Sequence, residues 1–244
     1  MKMYLQFIRN IRARGPDVPF IVDAFRHAVS SRWDLASGSK FSTLYRQVHA
    51  YSMCSSFRLR SLRAAVTRVV EAGIPGAIVE CGVARGGSAA LMGLTLRELS
   101  ARRDIWLFDT FEGLPAPTRA DPDFDIAVPY TGTCVGTLDE VGELFARLGL
   151  QDDVHFVKGL FRHTIPCADT GNIAVLHIDG DWYDSVKSSL DLLYDRVSPG
   201  GLIQFDDFGF WAGARKAVED FMRERDIHTA LQHIDHSGRL LVKQ

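Results

Sequence analysis

Four carboxylates stand in two pairs in this chain, and each pair follows a short apolar run. Asp179 and Asp181 follow residues 173–178, and Asp206 and Asp207 follow residues 202–205. Neither run alternates in polarity and a helix-like segment lies between them, the pattern of two buried parallel strands joined by a helix. Such strands point the same way, so their carboxyl ends deliver all four acids to one edge of a sheet, where ligands of open α/β sheets bind. Acids gathered there repel one another. A divalent cation is the simplest neutraliser, and all-oxygen ligation suits magnesium, calcium or manganese. A plainer reading exists for two of them: Asp181 can cap a helix beginning near Trp182, and Asp207 can close a turn before Gly209.

The elements that must hold these acids follow from the rest of the pattern. Over residues 57–72 apolar side chains recur every three or four positions between arginines, which predicts a helix ended by Gly73 and Pro75. A strand at 77–79 runs into Glu80, a glycine-rich turn through Gly82, Gly86 and Gly87, and a helix over about 88–99. A second strand, 105–108, ends in Asp109. Residues 113–136, mixing prolines and glycines with acids, read as a long loop at the ligand edge that serves as a lid or a substrate-binding segment. A helix at 138–148 leads to a third strand, 154–157. The fourth strand, a helix at 186–194, an SPGG turn and the fifth strand complete the centre. An amphipathic helix in WAGARKAVEDFMRER then precedes a hairpin of strands at 230–234 and 239–242.

Residues 1–50 show neither strand alternation nor a clean helical period. They read as an irregular or short-helical extension, with an amphipathic stretch at 4–11 and a break at 15–19, used as a lid or an oligomer contact. Residues 51–244 are then the catalytic domain. A length of 244 residues suits this organisation. A net charge of -2 argues against a nucleic-acid binder, so the basic run 58–68 reads as the wet side of its helix. The four cysteines, 54, 81, 134 and 167, form no CxxC pair and indicate neither zinc nor disulfides, which fits a reducing cytoplasm. The basic N-terminal stretch lacks the apolar core of a signal peptide, and no run reaches the roughly 18 apolar residues of a membrane span.

A glycine-rich loop after one strand and an acid after the next make a pocket of the dinucleotide type. The loop ECGVARGGS is not G-x-G-x-x-G, and its opening acid would repel a pyrophosphate. Beside an ammonium it would attract. S-adenosylmethionine carries such an ammonium, a carboxylate for loop amides, and ribose hydroxyls for Asp109.

The strings VECGVARGGS, FDTFEGLP, VHFVKGLF, LHIDGDWYDS, SPGG and FDDFG followed by GARKAVEDF resemble the macrocin O-methyltransferase family of class I S-adenosylmethionine-dependent enzymes, in order from about Met53 to Phe221. One departure is Ala84, where the family often carries an aromatic residue. The resemblance implies a Rossmann-like α/β fold, a seven-stranded mostly parallel sheet with helices on both faces and a C-terminal antiparallel hairpin. It also implies magnesium-dependent methylation of a sugar hydroxyl on a small-molecule or other saccharide acceptor. On that basis Asp179, Asp206 and Asp207 hold the magnesium and Asp181 is the general base. Glu80, Gly82, Ser88, Asp109, Gly159, Leu160 and Phe161 hold the cofactor, with Met53 over it. A catechol or other non-sugar hydroxyl, or a non-catalytic binding role for the same fold, are the alternatives. His177, mid-strand, reads as a hydrogen-bonded core histidine, and Trp182 and Tyr183 read equally as sugar-stacking or packing residues.

Overall fold

Apolar runs buried on both sides make the centre of one sheet. A computed structural model describes residues 18–244. Strands β1 (Ala77–Cys81), β2 (Ile105–Asp109), β3 (Val154–Lys158), β4 (Ile173–Ile178) and β5 (Val197–Phe205) run parallel. Two antiparallel strands, β6 (Gln232–His233) and β7 (Arg239–Val242), complete the order β3-β2-β1-β4-β5-β7-β6. The chain builds outward from β1 to β3 and then returns to lay β4 on the other side of β1. The order therefore reverses between β1 and β4, where open α/β sheets place their ligands. Every residue of β1 and β4 is buried, as a central parallel strand requires.

Helices cover both faces. On one lie α2 (Lys40–Val48), α3 (Ser56–Glu71), α4 (Gly87–Glu98) and α6 (Leu138–Leu148), whose Leu44, Leu62, Leu91 and Phe145 share a core with Ile78 and Val175. On the other lie α8 (Tyr183–Leu193) and α9 (Ala212–Glu224), with Val186, Leu190, Val218 and Phe221 against Val79 and Leu176. Short helices α5 (Phe124–Ala127) and α7 (Phe161–Thr164) sit in the connections. The start and stop signals are local: Thr137 and Glu140 cap α6 reciprocally, and Gly149, at φ +64°, ends it. Among the described residues no helix is long and apolar enough to cross a membrane.

Three elements differ from the sequence reading. The described part of the 1–50 segment is helical: α1 (Val18–Ala36) and α2, the latter contributing Phe41, Leu44, Tyr45 and Val48 to the core. The stretch read as amphipathic at 4–11 lies outside the described residues. No clean period pointed to α1 because it docks by its polar side, with Ser30 and Asp34 bonded to Ser56 and Arg60, while Val22, Phe25, Val29 and Trp33 face outward. The SPGG stretch is not a turn. It lies inside β5, whose pairing with β4 shifts register between Ile173 and Val175, and Gly200 and Gly201 bond to Lys243. The first tail strand shrinks to two residues, Gln232–His233.

One close approach fixes the geometry of the ligand edge. Gly82, at φ +96°, ends β1 so close to β4 that a Cβ there would lie 1.7 Å from the carbonyl oxygen of Asp179. Replacing Gly82 with Ala is expected to destabilise the fold by more than about 1 kcal/mol, because both the backbone angle and the contact forbid a side chain. Urea denaturation of the purified variant checks this.

Candidate active site

Asp179 closes β4, its N–H bonded to the carbonyl of Cys81 at 2.8 Å, and Asp206 follows β5, its N–H bonded to that of Ile178 at 3.0 Å. The strand ends therefore carry their acids into one place. Carboxylate oxygens of Asp179, Asp181 and Asp207 all lie within 4.8 Å of one another. Asp181 adopts φ +57°, its N–H reaches Asp207 Oδ2 at 3.2 Å, and its Oδ1 accepts from the Trp211 indole at 2.7 Å. It does not cap α8. That cap comes from Asp121 in the 113–136 loop, whose Oδ1 accepts the Tyr183 N–H at 2.7 Å.

Burial, and then the neighbouring acids, hold the Asp179 and Asp181 carboxyls well above the usual range, and burial with Asp206 pushes Asp207 up to about 6. Asp206 is the exception. Burial raises it too, but the Arg58 guanidinium and His177 outweigh that and hold it below the ordinary value. Both partners reach it directly: Arg58 Nη1 pairs with Oδ2, and His177 Nε2 lies 3.4 Å from Oδ1. His177 Nδ1 lies 2.7 Å from Glu80 Oε1. Burial favours a neutral imidazole, yet its hydrogen bonds to Asp206 and Glu80 raise its pKa to about 9, so at neutral pH both ring nitrogens donate. Arg58 also bonds Asp235 at 3.2 Å, and Ser55 reaches the same carboxylate. Arg58 is thus not on the wet side of its helix, as the basic run suggested, but 15% exposed between two acids.

Beside the acids opens a narrow cleft of about 60 Å³. Met53, Gly82, Asp109, Leu160 and Phe161 line it, with Asp179, Gly180 and Asp181 at one end and Gly113, Leu114, Pro115 and Cys134 from the long loop over it. Glu80, Ser88 and Gly159, also assigned to the cofactor from sequence, are not part of the lining. Glu80 is fully buried, and its Oε2 has no hydrogen-bond partner, an orphan acceptor that an ammonium donor would satisfy. Asp109, expected to take ribose hydroxyls, has Oδ2 on the Val83 and Ala84 amides at 2.6 and 2.9 Å and Oδ1 on the Phe111 amide at 2.7 Å. In this state it pins the glycine-rich loop. An S-adenosylmethionine-like ligand fits the chemistry of the cleft. The cleft as it stands is smaller than the roughly 300 Å³ at which ligand pockets typically begin.

The donor set also fits a hard divalent ion. Asp179, Asp181 and Asp207 offer only oxygens, and burial first, then the neighbouring acids, raises the pKa of each. Asp206, the third ligand expected from sequence, is shared between Arg58 and His177 instead. Its neighbour His177, donating from both nitrogens, has no lone pair for a metal. Sequence reasoning missed Arg58, Trp211, Asp121 and Cys134, all of which act here across long sequence separations that periodicity does not register. Trp182 resolves to packing: it is 2% exposed, with its indole N–H on the Pro115 carbonyl at 2.8 Å.

The sequence pattern of the macrocin O-methyltransferase (TylF) family matches residues 26–243. An 8-demethyl-8-(2,3-dimethoxy-alpha-L-rhamnosyl)-tetracenomycin-C 4'-O-methyltransferase from Streptomyces olivaceus is 38% identical over 195 residues, 78% of this chain and 74% of the relative. A mycinamicin III 3''-O-methyltransferase from Micromonospora griseorubida is 33% identical over 209 residues, 83% of this chain and 80% of the relative. Among solved structures, the O-methyltransferase NovP superposes with a TM-score of 0.75 at 33% identity, covering 80% of this chain and 82% of its own. A calicheamicin methyltransferase, CalS11, at 21% identity and a TM-score of 0.66, shares the fold over 95% of this chain and 96% of its own.

Manganese(II), observed by electron paramagnetic resonance, reports on the acid cluster. Asp179→Asn and Asp207→Asn are each expected to weaken it at least about tenfold, the cost even of losing an outer-shell partner. Asp207, held at about 6, must release its proton to bind, so wild-type affinity should rise from about pH 5 to about pH 7. An affinity flat across that window, or unchanged in both variants, would count against the cluster as a cation site.

Proposed function

The chain belongs to the macrocin O-methyltransferase family, and from that premise we propose that it methylates a hydroxyl on the sugar of a small natural-product glycoside, using S-adenosylmethionine and magnesium. The observation that carries this reading is the shared wall: Asp179 and Asp181 belong both to the acid cluster and to the lining of the cleft. When bound, S-adenosylmethionine supplies an electrophilic methyl group, and a divalent ion supplies positive charge that acidifies a nearby hydroxyl.

The protein's own groups do the rest. Glu80, with an unsatisfied oxygen, receives the ammonium of the donor, and Met53, Leu160 and Phe161 wall its path. Asp179 and Asp207 hold the ion. Asp206, assigned to the ion from sequence, has both oxygens engaged by Arg58 and His177, which keep it ionised, and it adds its negative charge beside the ion without being a ligand. Asp181 takes the acceptor's proton on Oδ2, the oxygen to which Trp211 does not bond. A carboxyl lifted from its ordinary range is a stronger base than a solvated one, which suits a weakly acidic sugar hydroxyl. The sugar reading is supported by the relatives, whose names place the methyl on glycosidic products.

Methyl-labelled S-adenosylmethionine, offered with a panel of rhamnosyl glycosides, nucleotide sugars and catechols, tests the proposal. Label is expected on a sugar hydroxyl, lost on chelation of divalent ions, and reduced at least about a hundredfold by Asp181→Asn. Label on catechols alone would replace the sugar reading, and failure to bind the donor in calorimetry would remove the whole proposal.

A further inference from the structure

We infer that Trp211 is the residue that aims Asp181, and that the 113–136 loop sets Trp211. This rests on Asp181 as the proton acceptor. At φ +57° Asp181 lies outside the helix that follows and has no helix end to cap, so its side chain must be fixed by something else. Its N–H is held by Asp207 Oδ2, and Oδ1 accepts the indole N–H of Trp211 at 2.7 Å. An indole donates one hydrogen bond in a fixed direction and accepts none. It therefore selects one orientation of the carboxylate and leaves Oδ2 without that bond, in a residue that lines the cleft.

Trp211 is itself held on several sides. It is 3% exposed, with its ring edge-on to Trp182 at 4.8 Å, Phe210 at 5.2 Å and Tyr130 at 5.3 Å. Tyr130 belongs to the loop, and so does the residue that caps the helix Trp211 introduces: Asp123 accepts the amides of Ala212 and Gly213 at 2.9 and 3.3 Å. Two residues earlier, Asp121 caps α8 at Tyr183. The two helices that flank Asp181 thus draw their N-terminal caps not from their own preceding residues but from neighbouring aspartates on one loop. A further bond, Trp182 to the Pro115 carbonyl, ties the loop to the same place. Seating the loop over the cleft and orienting the base are consequently one event. Trp211 is a positioning residue, and Asp123 acts through it.

Trp211→Phe keeps a ring and removes the donor. With the sugar acceptor identified by the labelling panel, kcat is expected to fall about tenfold to a hundredfold while the acceptor KM and the affinity for S-adenosylhomocysteine stay within about threefold, the mark of a misaimed group and not a lost binding surface. Combined with Asp181→Asn, it should add almost nothing to the single loss. Nuclear magnetic resonance reads the same bond without an acceptor. Of the four indole N–H signals that four tryptophans give, the one that Trp211→Phe deletes should shift in Asp181→Asn and in Asp123→Ala. A signal unmoved by Asp181→Asn overturns the inference, as does a kcat unchanged in Trp211→Phe. If that variant fails to fold, the Asp181→Asn and Asp123→Ala spectra, with the signal assigned by triple resonance, still decide it. Loss of donor binding in the wild type would strike the methyltransferase reading and leave the indole bond standing.

Discussion

Like charges crowded at adjacent strand ends are the constraint around which this structure is arranged. Four aspartates follow β4 and β5, and the protein neutralises them unequally. Asp206 receives two cations of the protein's own, Arg58 and His177, within a buried chain that continues to Glu80 on one side and Asp235 on the other. Burial, and then their mutual repulsion, lifts the carboxyls of Asp179, Asp181 and Asp207, and Arg58 offsets this only in part at Asp179 and Asp207. An internal half of the site is thus paired with the protein's own cations, and an outer half, lining the cleft, is made of acids raised above their ordinary range. Removing one member of a buried ion pair is far more damaging than never having built it, which makes Arg58 as much a part of the site as the acids.

What the sequence disclosed and what it withheld divide along range of interaction. Short-range signals were readable: the apolar run 173–178 is β4 to the residue, the helix expected at 138–148 is α6, and acids after apolar runs mark the ligand edge. Contacts between distant segments were not. Nothing local distinguishes Arg58 from the other arginines of its helix, because its partners lie 148 and 177 residues away. Asp109 shows the same gap: its place after β2 was legible, yet its hold on the Val83 and Ala84 amides depends on how two loops meet. Helix α1 escaped pattern reading for a different reason, since it presents its polar side to the body and so inverts the usual rule.

The cleft and its loop form a second theme. Leu114 and Thr133 pair across the base of the 113–136 segment, Gly136 passes so near Ala84 that a side chain has no room, and Cys134 faces the acids. Burial, followed by the charge of Asp181, lifts the Cys134 thiol to about 12, so it is an inert wall and not a nucleophile. A long loop fastened at so many points is closer to a structural part than to a free lid.

The hairpin that carries Asp235 has an implication for how the protein is made. Ser55 and Arg58 leave the ribosome 177 residues or more before the carboxylate that binds them both. Until then the cation destined for the interior has only part of its counter-charge, and the nascent sheet lacks the β7 partner of its last parallel strand. The ligand edge is therefore complete only once this hairpin has been made and has docked.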